Sequence, residues 1–115
     1  MDLAKIQSKL ELFASERDWD QFHSVRNLAL ALVGEVGELA ELFQWIDDSK
    51  VSTFLDKGGR ERLGEELADV LFYLVRLADK AGVDIDQAVN EKLASNAVKY
   101  PVDKSHGVST KYTDL

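Results

Sequence analysis

The stretch GEVGELAELFQW at residues 34–45, with its echo GEELADVLFYL at residues 64–74, decides how this chain is read. Each carries a carboxylate pair at the same spacing, Glu35-x-x-Glu38 in the first and Glu66-x-x-Asp69 in the second. Each pair is set in an apolar run long enough for a helix, and residues three apart share one helical face. The neighbours are Leu, Val, Ala and Phe, so both faces are expected to turn inward. Four carboxylates gathered there repel one another and lose hydration unless they take up protons or a cation. Hard oxygen donors converging from two helices suit Mg²⁺, with Mn²⁺ as a substitute. A single Glu-x-x-Glu is more plainly read as a solvated helix face. Its repetition on a second apolar segment argues otherwise, as do Gly34 and Gly37. A glycine costs a helix interior about 1 kcal/mol relative to alanine, so two in one turn point to close approach by another helix or a ligand. Glu41 and Glu65 adjoin the pairs, either in outer-sphere roles or simply solvated.

Outward from these segments the chain reads as all-α. Leu3, Ile6, Leu10 and Phe13 recur at helical spacing and predict a first helix over about 2–16. The connector ERDWDQFHS follows, and Ser24 is placed to cap a second helix over about 24–46. That helix is apolar around most of its circumference, which predicts a central, buried position. DDSKVSTFLDKGG at 47–59 reads as a loop with one short turn around Thr53–Leu55. A third helix is predicted over about 60–80, ending at Gly82. Asp84 and Gln87 resemble a capping box opening a fourth over about 84–98, which Tyr100-Pro101 stops. The tail 99–115 is expected to be irregular. Four such helices in 115 residues imply one domain, a four-helix bundle. The second helix is too apolar for a lone bundle of this size, so an oligomer with a shared core, dimer or tetramer, is expected.

Composition narrows the function. Net charge is −7, and the basic footprint that a nucleic-acid polymer requires is missing. A small phosphorylated ligand remains compatible if cations stand between its phosphates and the carboxylates. Cysteine is absent, so no thiolate site or disulfide framework is available. The longest apolar run, Leu28–Val33, is too short to span a bilayer, and MDLAKIQSKLELF has no signal-peptide core. No membrane partner and a cytoplasmic location are therefore expected.

Competing chemistries fare poorly. A di-iron bundle needs Glu-x-x-His on two helices, and neither His23 nor His106 follows a glutamate by three. A nucleophile elbow and a glycine-rich phosphate loop are both missing. Trp19, Trp45, Phe22 and Tyr100 stand near helix ends, where they serve either packing or base stacking. Lys92, Asn96 and Lys99 share helical spacing, facing either solvent or the carboxylates.

The motif Glu35-x-x-Glu38, a spacer, then Glu66-x-x-Asp69 resembles that of the MazG-like, all-α nucleoside triphosphate pyrophosphohydrolases. Residues 16–45, EELADVLFYLV at 65–75, the stretch from Asn96 to Pro101 and the closing KYTDL resemble its dCTP pyrophosphatase branch. The resemblance implies Mg²⁺-dependent hydrolysis of deoxynucleoside triphosphates to monophosphate and pyrophosphate, cleaning the nucleotide pool. It implies dCTP or a modified dCTP as favoured substrate, with dATP a further candidate. Glu35, Glu38, Glu66 and Asp69 take the metal-ligand positions, Glu35 and Glu38 also being catalytic, with Glu35 as base or water positioner. Trp19, His23, Trp45, Tyr73, Lys92, Asn96 and Tyr100 fall on the substrate side. One departure is Leu10, where relatives carry a histidine. Two other readings remain at this point: a non-catalytic helical scaffold, and a sensor that binds nucleotides without turnover.

Overall fold

The computed structural model describes residues 1–115 and is built from helices and turns alone. Helix α1 (Leu3–Glu16) opens on Asp2, whose carboxylate accepts from the Lys5 amide at 3.2 Å. It breaks at Asp18, a non-glycine residue at φ 54°, after which the Trp19 amide donates back to the Ala14 carbonyl at 2.9 Å. A 3-10 turn at Asp20–Phe22 leads to Ser24, whose Oγ caps α2 (Val25–Glu41) by accepting from the Asn27 amide. Helix α3 (Val51–Phe54) is a single turn, and α4 (Arg60–Ala81) is the longest element. Gly82, at φ 69°, ends α4 in the left-handed conformation that favours glycine.

The chain divides into two compact units, Met1–Gly82 and Val83–Leu115. In the first, α4 is the spine: α2 packs along it and α1 against it. Its buried apolar residues are Ala14, Leu28, Leu42, Val75 and Ala78. Burying Leu28 contributes roughly 1.5–3 kcal/mol, and few other side chains match it. In the second unit, Asp84 caps α5 (Ile85–Lys99), and the one-turn α6 (Val102–Ser105) follows Pro101. Tyr100 and Tyr112 meet edge-on at 5.9 Å, with the Lys99 ammonium over the Tyr112 ring.

Four expectations change. The second helix stops at Glu41 and not near Ile46: the Leu42, Phe43 and Ile46 amides donate to carbonyls three residues back, so the chain tightens out of the α form. Hydropathy is blind to that change, because Leu42, Phe43 and Ile46 stay apolar throughout. The segment at 47–59 is largely helical turns and not a loop. Asp47 caps a 3-10 turn at Asp48–Lys50, α3 follows, and a wide turn at Leu55–Gly59 breaks at Gly58, φ 94°. Gly59 is required there, because a Cβ would lie 2.4 Å from the Phe54 carbonyl oxygen. The tail holds α6 and a 3-10 turn at Tyr112–Asp114, anchored by the tyrosine pair. Finally, α2 is not buried within its own chain: Leu28 alone is, while Leu30, Val33 and Val36 are exposed. A Cβ at Gly34 or Gly37 would meet nothing within 4 Å, so the close approach read from those glycines is not made by this chain.

Candidate metal centre and adjoining cavity

Packing α2 along α4 sets the two carboxylate pairs face to face. Oxygens of Glu35, Glu38 and Glu66 lie within 4.8 Å of one another. The Oε2 atoms of Glu35 and Glu66 are buried and have no hydrogen-bond partner. An orphaned buried carboxylate oxygen is costly, and here it occurs twice in one cluster. Loss of hydration pushes the Glu35 carboxyl above the usual range, reinforced by the charges of Glu38 and Asp69 and more weakly by Glu66. Glu66 is raised for the same first reason, then by Glu38, Asp69 and the adjacent Glu65. Asp69 thus lies close enough to act on both, although it is not among the three whose oxygens converge. The donor set is all carboxylate, and two of its lone pairs have no other use. It fits a hard divalent cation of the Mg²⁺ or Mn²⁺ class and gives no footing to a soft metal.

Beside the cluster lies a cavity of about 700 Å³ in the first unit. Glu35 and Asp69 stand on its wall, so the cluster adjoins it. Ile6, Leu10, Phe13 and Ala14 line it from α1, Trp19 and His23 from the connector, and Phe72, Tyr73 and Arg76 from α4. Trp19 is fixed by an edge-on contact with Phe13 at 5.6 Å, which leaves it 42% exposed, enough to offer a ring face. An apolar, aromatic chamber with charge at one side suits a ligand with a flat ring and an anionic end.

The expected substrate-side residues therefore separate. Trp19, His23 and Tyr73 are brought together on the cavity wall. Trp45 is not on it and stands 87% exposed beyond the end of α2. Lys92, Asn96 and Tyr100 belong to the second unit, where the Asn96 carbonyl accepts from the Tyr100 amide at 2.8 Å. Sequence reasoning missed Ile6, Phe72 and above all Arg76, which is 5% exposed and holds Asp20 and Asp79 as ion pairs. The signal was present: an arginine inside the apolar run LFYLVRLA, seven residues beyond Asp69, shares that aspartate's helical face.

The model of the MazG-like family matches residues 31–115, both carboxylate pairs included. The chain belongs to the MazG-like family. Among curated proteins, this MazG-like chain is similar to dCTP pyrophosphatase 1 of Mus musculus, 57% identical over 104 residues, and to that of Homo sapiens, 54% identical over 105 residues. Each alignment covers 90% of the chain but 61% of the relative, so the chain spans about three-fifths of those proteins' length. Among solved structures, a pyrophosphatase from Archaeoglobus fulgidus superposes with a TM-score of 0.78 at 36% identity, covering 85% of this chain and 91% of that one.

Proposed function

We propose that this MazG-like chain hydrolyses deoxynucleoside triphosphates to the monophosphate and pyrophosphate, with Mg²⁺ as cofactor and Mn²⁺ as a substitute. The observation that carries the reading is the carboxylate cluster with two orphaned buried oxygens, opening onto an aromatic cavity of nucleotide size. Glu35, Glu38, Glu66 and Asp69 would hold the metal, which when bound neutralises phosphate charge and acidifies a water. Glu35 has the environment of a general base. It lines the cavity beside the cluster that would hold the metal, within reach of a water acidified there. Trp19 and Tyr73 flank the chamber that would take the base and sugar. Stacking on Trp19 tolerates any base, since every base has a π-face, so discrimination falls to polar side chains on the cavity wall, His23 among them. The names of the two mammalian relatives favour dCTP, with a modified dCTP and dATP as further candidates. The setting is the cleaning of a cytoplasmic nucleotide pool; no helix of the chain is long and apolar enough to cross a membrane.

Position of attack is the direct test. With dCTP, Mg²⁺ and water labelled with heavy oxygen, the label should appear in the monophosphate, and unlabelled pyrophosphate should be the co-product. Label in orthophosphate, with a diphosphate formed alongside, would reject the reaction.

The same reading includes a homo-oligomer. Leu30, Val33, Gly34 and Gly37 form one stripe of α2, with both large residues more than half exposed. On α4, Leu67 and Leu74 are also exposed, one heptad apart. Scattered exposed apolar residues are ordinary, but contiguous ones mark an interface. The glycines would let a second helix approach closely where this chain has only open space. Light scattering at micromolar concentration should report a dimer or tetramer, and a stable monomer would sink this part of the reading.

A further inference from the structure

Arg76 does more than neutralise charge. Its guanidinium is almost wholly buried, and its three nitrogens are each assigned to a different partner. Nη2 donates to Asp20, Nη1 donates to Asp79 Oδ2 at 3.3 Å, and Nε donates to His23 Nδ1 at 3.2 Å. The carboxylates are themselves held. Lys80 reaches Asp20 at 3.1 Å, and Gln7 of α1 donates to the other oxygen of Asp79 at 2.8 Å. The fork therefore has little freedom to turn away from the imidazole.

That contact has a chemical consequence. A guanidinium has five N–H donors, no acceptor, and does not lose its proton in a protein. His23 Nδ1 must then supply a lone pair, and the ring's hydrogen must sit on Nε2. His23 lines the cavity beside Trp19, their rings 6.2 Å apart. We infer that Arg76 is a positioning residue for the nucleotide site, fixing His23 as the Nε2–H tautomer so that the ring offers the cavity one oriented donor and no positive charge. The inference rests on the function proposed above and assigns His23's partner as a hydrogen-bond acceptor of the bound nucleotide. Burial first and the Arg76 charge second lower the readiness of His23 to take a proton, with Lys80 adding to them and Asp20 opposing. The other charged groups on this cavity wall are Lys9, Glu35 and Asp69.

Two substitutions separate this from a structural role. Arg76→Lys keeps the charge between Asp20 and Asp79 but has a single nitrogen and no fork to serve His23 as well. His23→Gln places an amide nitrogen near the position of Nε2 and keeps a donor, whereas His23→Leu removes it. The chain has two histidines, so His106→Gln assigns their signals in nitrogen–proton correlation spectra. At pH 7, His23 should show the Nε2–H pattern in the unsubstituted protein and lose it in Arg76→Lys. In dCTP hydrolysis with Mg²⁺, His23→Leu and Arg76→Lys should each raise KM about ten-fold, with kcat within about two-fold, and His23→Gln should raise KM by clearly less than His23→Leu. Arg76→Lys should add little in the His23→Leu background, because the two act as one unit. An Nδ1–H or doubly protonated His23 in the unsubstituted protein would overturn the inference, as would full additivity of the two substitutions. An Nε2–H spectrum with no nucleotide turned over would support the tautomer assignment and reject the reaction, so the two failures are separable.

Discussion

Glu38→Gln and Asp69→Asn should each lower kcat/KM by a factor on the order of 10²–10³, with the far-UV circular dichroism of a helical protein retained. Both changes keep side-chain shape and remove one negative charge from the cluster. Metal coordination supplies several kcal/mol of transition-state stabilisation, and each 1.4 kcal/mol is roughly a factor of ten in rate. Losing a ligand is therefore expected to cost two to three powers of ten. Glu38 is the exposed member of the converging three, so neither a cavity nor an orphaned group is left behind. It is also among the charges that raise both Glu35 and Glu66, so its neutralisation relieves repulsion, and the metal-free fold should be no less stable. Glu41→Gln supplies the comparison. Glu41 lies on the same helix, three residues beyond Glu38, but is exposed and outside the cluster. Its activity should stay within about two-fold of the unsubstituted chain, the usual scale for a surface change away from such a feature. Equal losses at Glu38 and Glu41 would show that the centre has been misplaced.

The all-helical architecture was legible in the sequence because it rests on spacing, and family membership because long stretches beyond the carboxylate pairs resemble the family. Apolar residues at i, i+3, i+4 and i+7 mark helices, and two carboxylate pairs at i, i+3 mark facing helices wherever the chain doubles back. Capping was legible too, since Ser24, Asp84 and Gly82 act through their own side chains or backbone freedom. What spacing does not carry is the partner of each face. The apolar circumference of α2 predicted burial, yet hydropathy cannot say whether the covering surface comes from the same chain, and in this chain Val33 is 70% exposed. Nor does it carry long-range polar pairing. Arg76 is 53 residues from His23 and 56 from Asp20, and only the fold of α4 past the connector joins them. Trp45 belongs with these: the resemblance puts it on the substrate side, and in this chain the tightened turn after Glu41 leaves it exposed and off the cavity wall.

Removing the metal should have the largest effect of all. A chelator is expected to abolish turnover, and saturating Mg²⁺ to raise the melting temperature, because a ligand that binds only the folded state stabilises it by mass action. At a hundred times its dissociation constant the gain is about 2.7 kcal/mol, or on the order of 10 °C for a domain of this size. The pH dependence gives the effect a signature. In the folded, metal-free chain Glu35 and Glu66 titrate above the ordinary glutamate value of 4.5. Folding thus favours their protonated forms. Their contribution is fully present below the unfolded value and is lost as pH rises through the raised folded values, where repelling carboxylates must ionise together. Mg²⁺ binds the ionised forms, so the melting difference between Mg²⁺ and chelator should widen as pH rises from about 4.5 towards 7. His23 and Asp20 act in the opposite sense. Both are lowered in the folded state, so their contributions fall as pH drops, His23 below 6.5 and Asp20 below 3.8. Because they are present with and without metal, they cancel in the difference. Calorimetric scans at stepped pH with each additive would show this. Superimposable melting curves at pH 7, with Mg²⁺ and with chelator, would mean that the four carboxylates do not form one metal site.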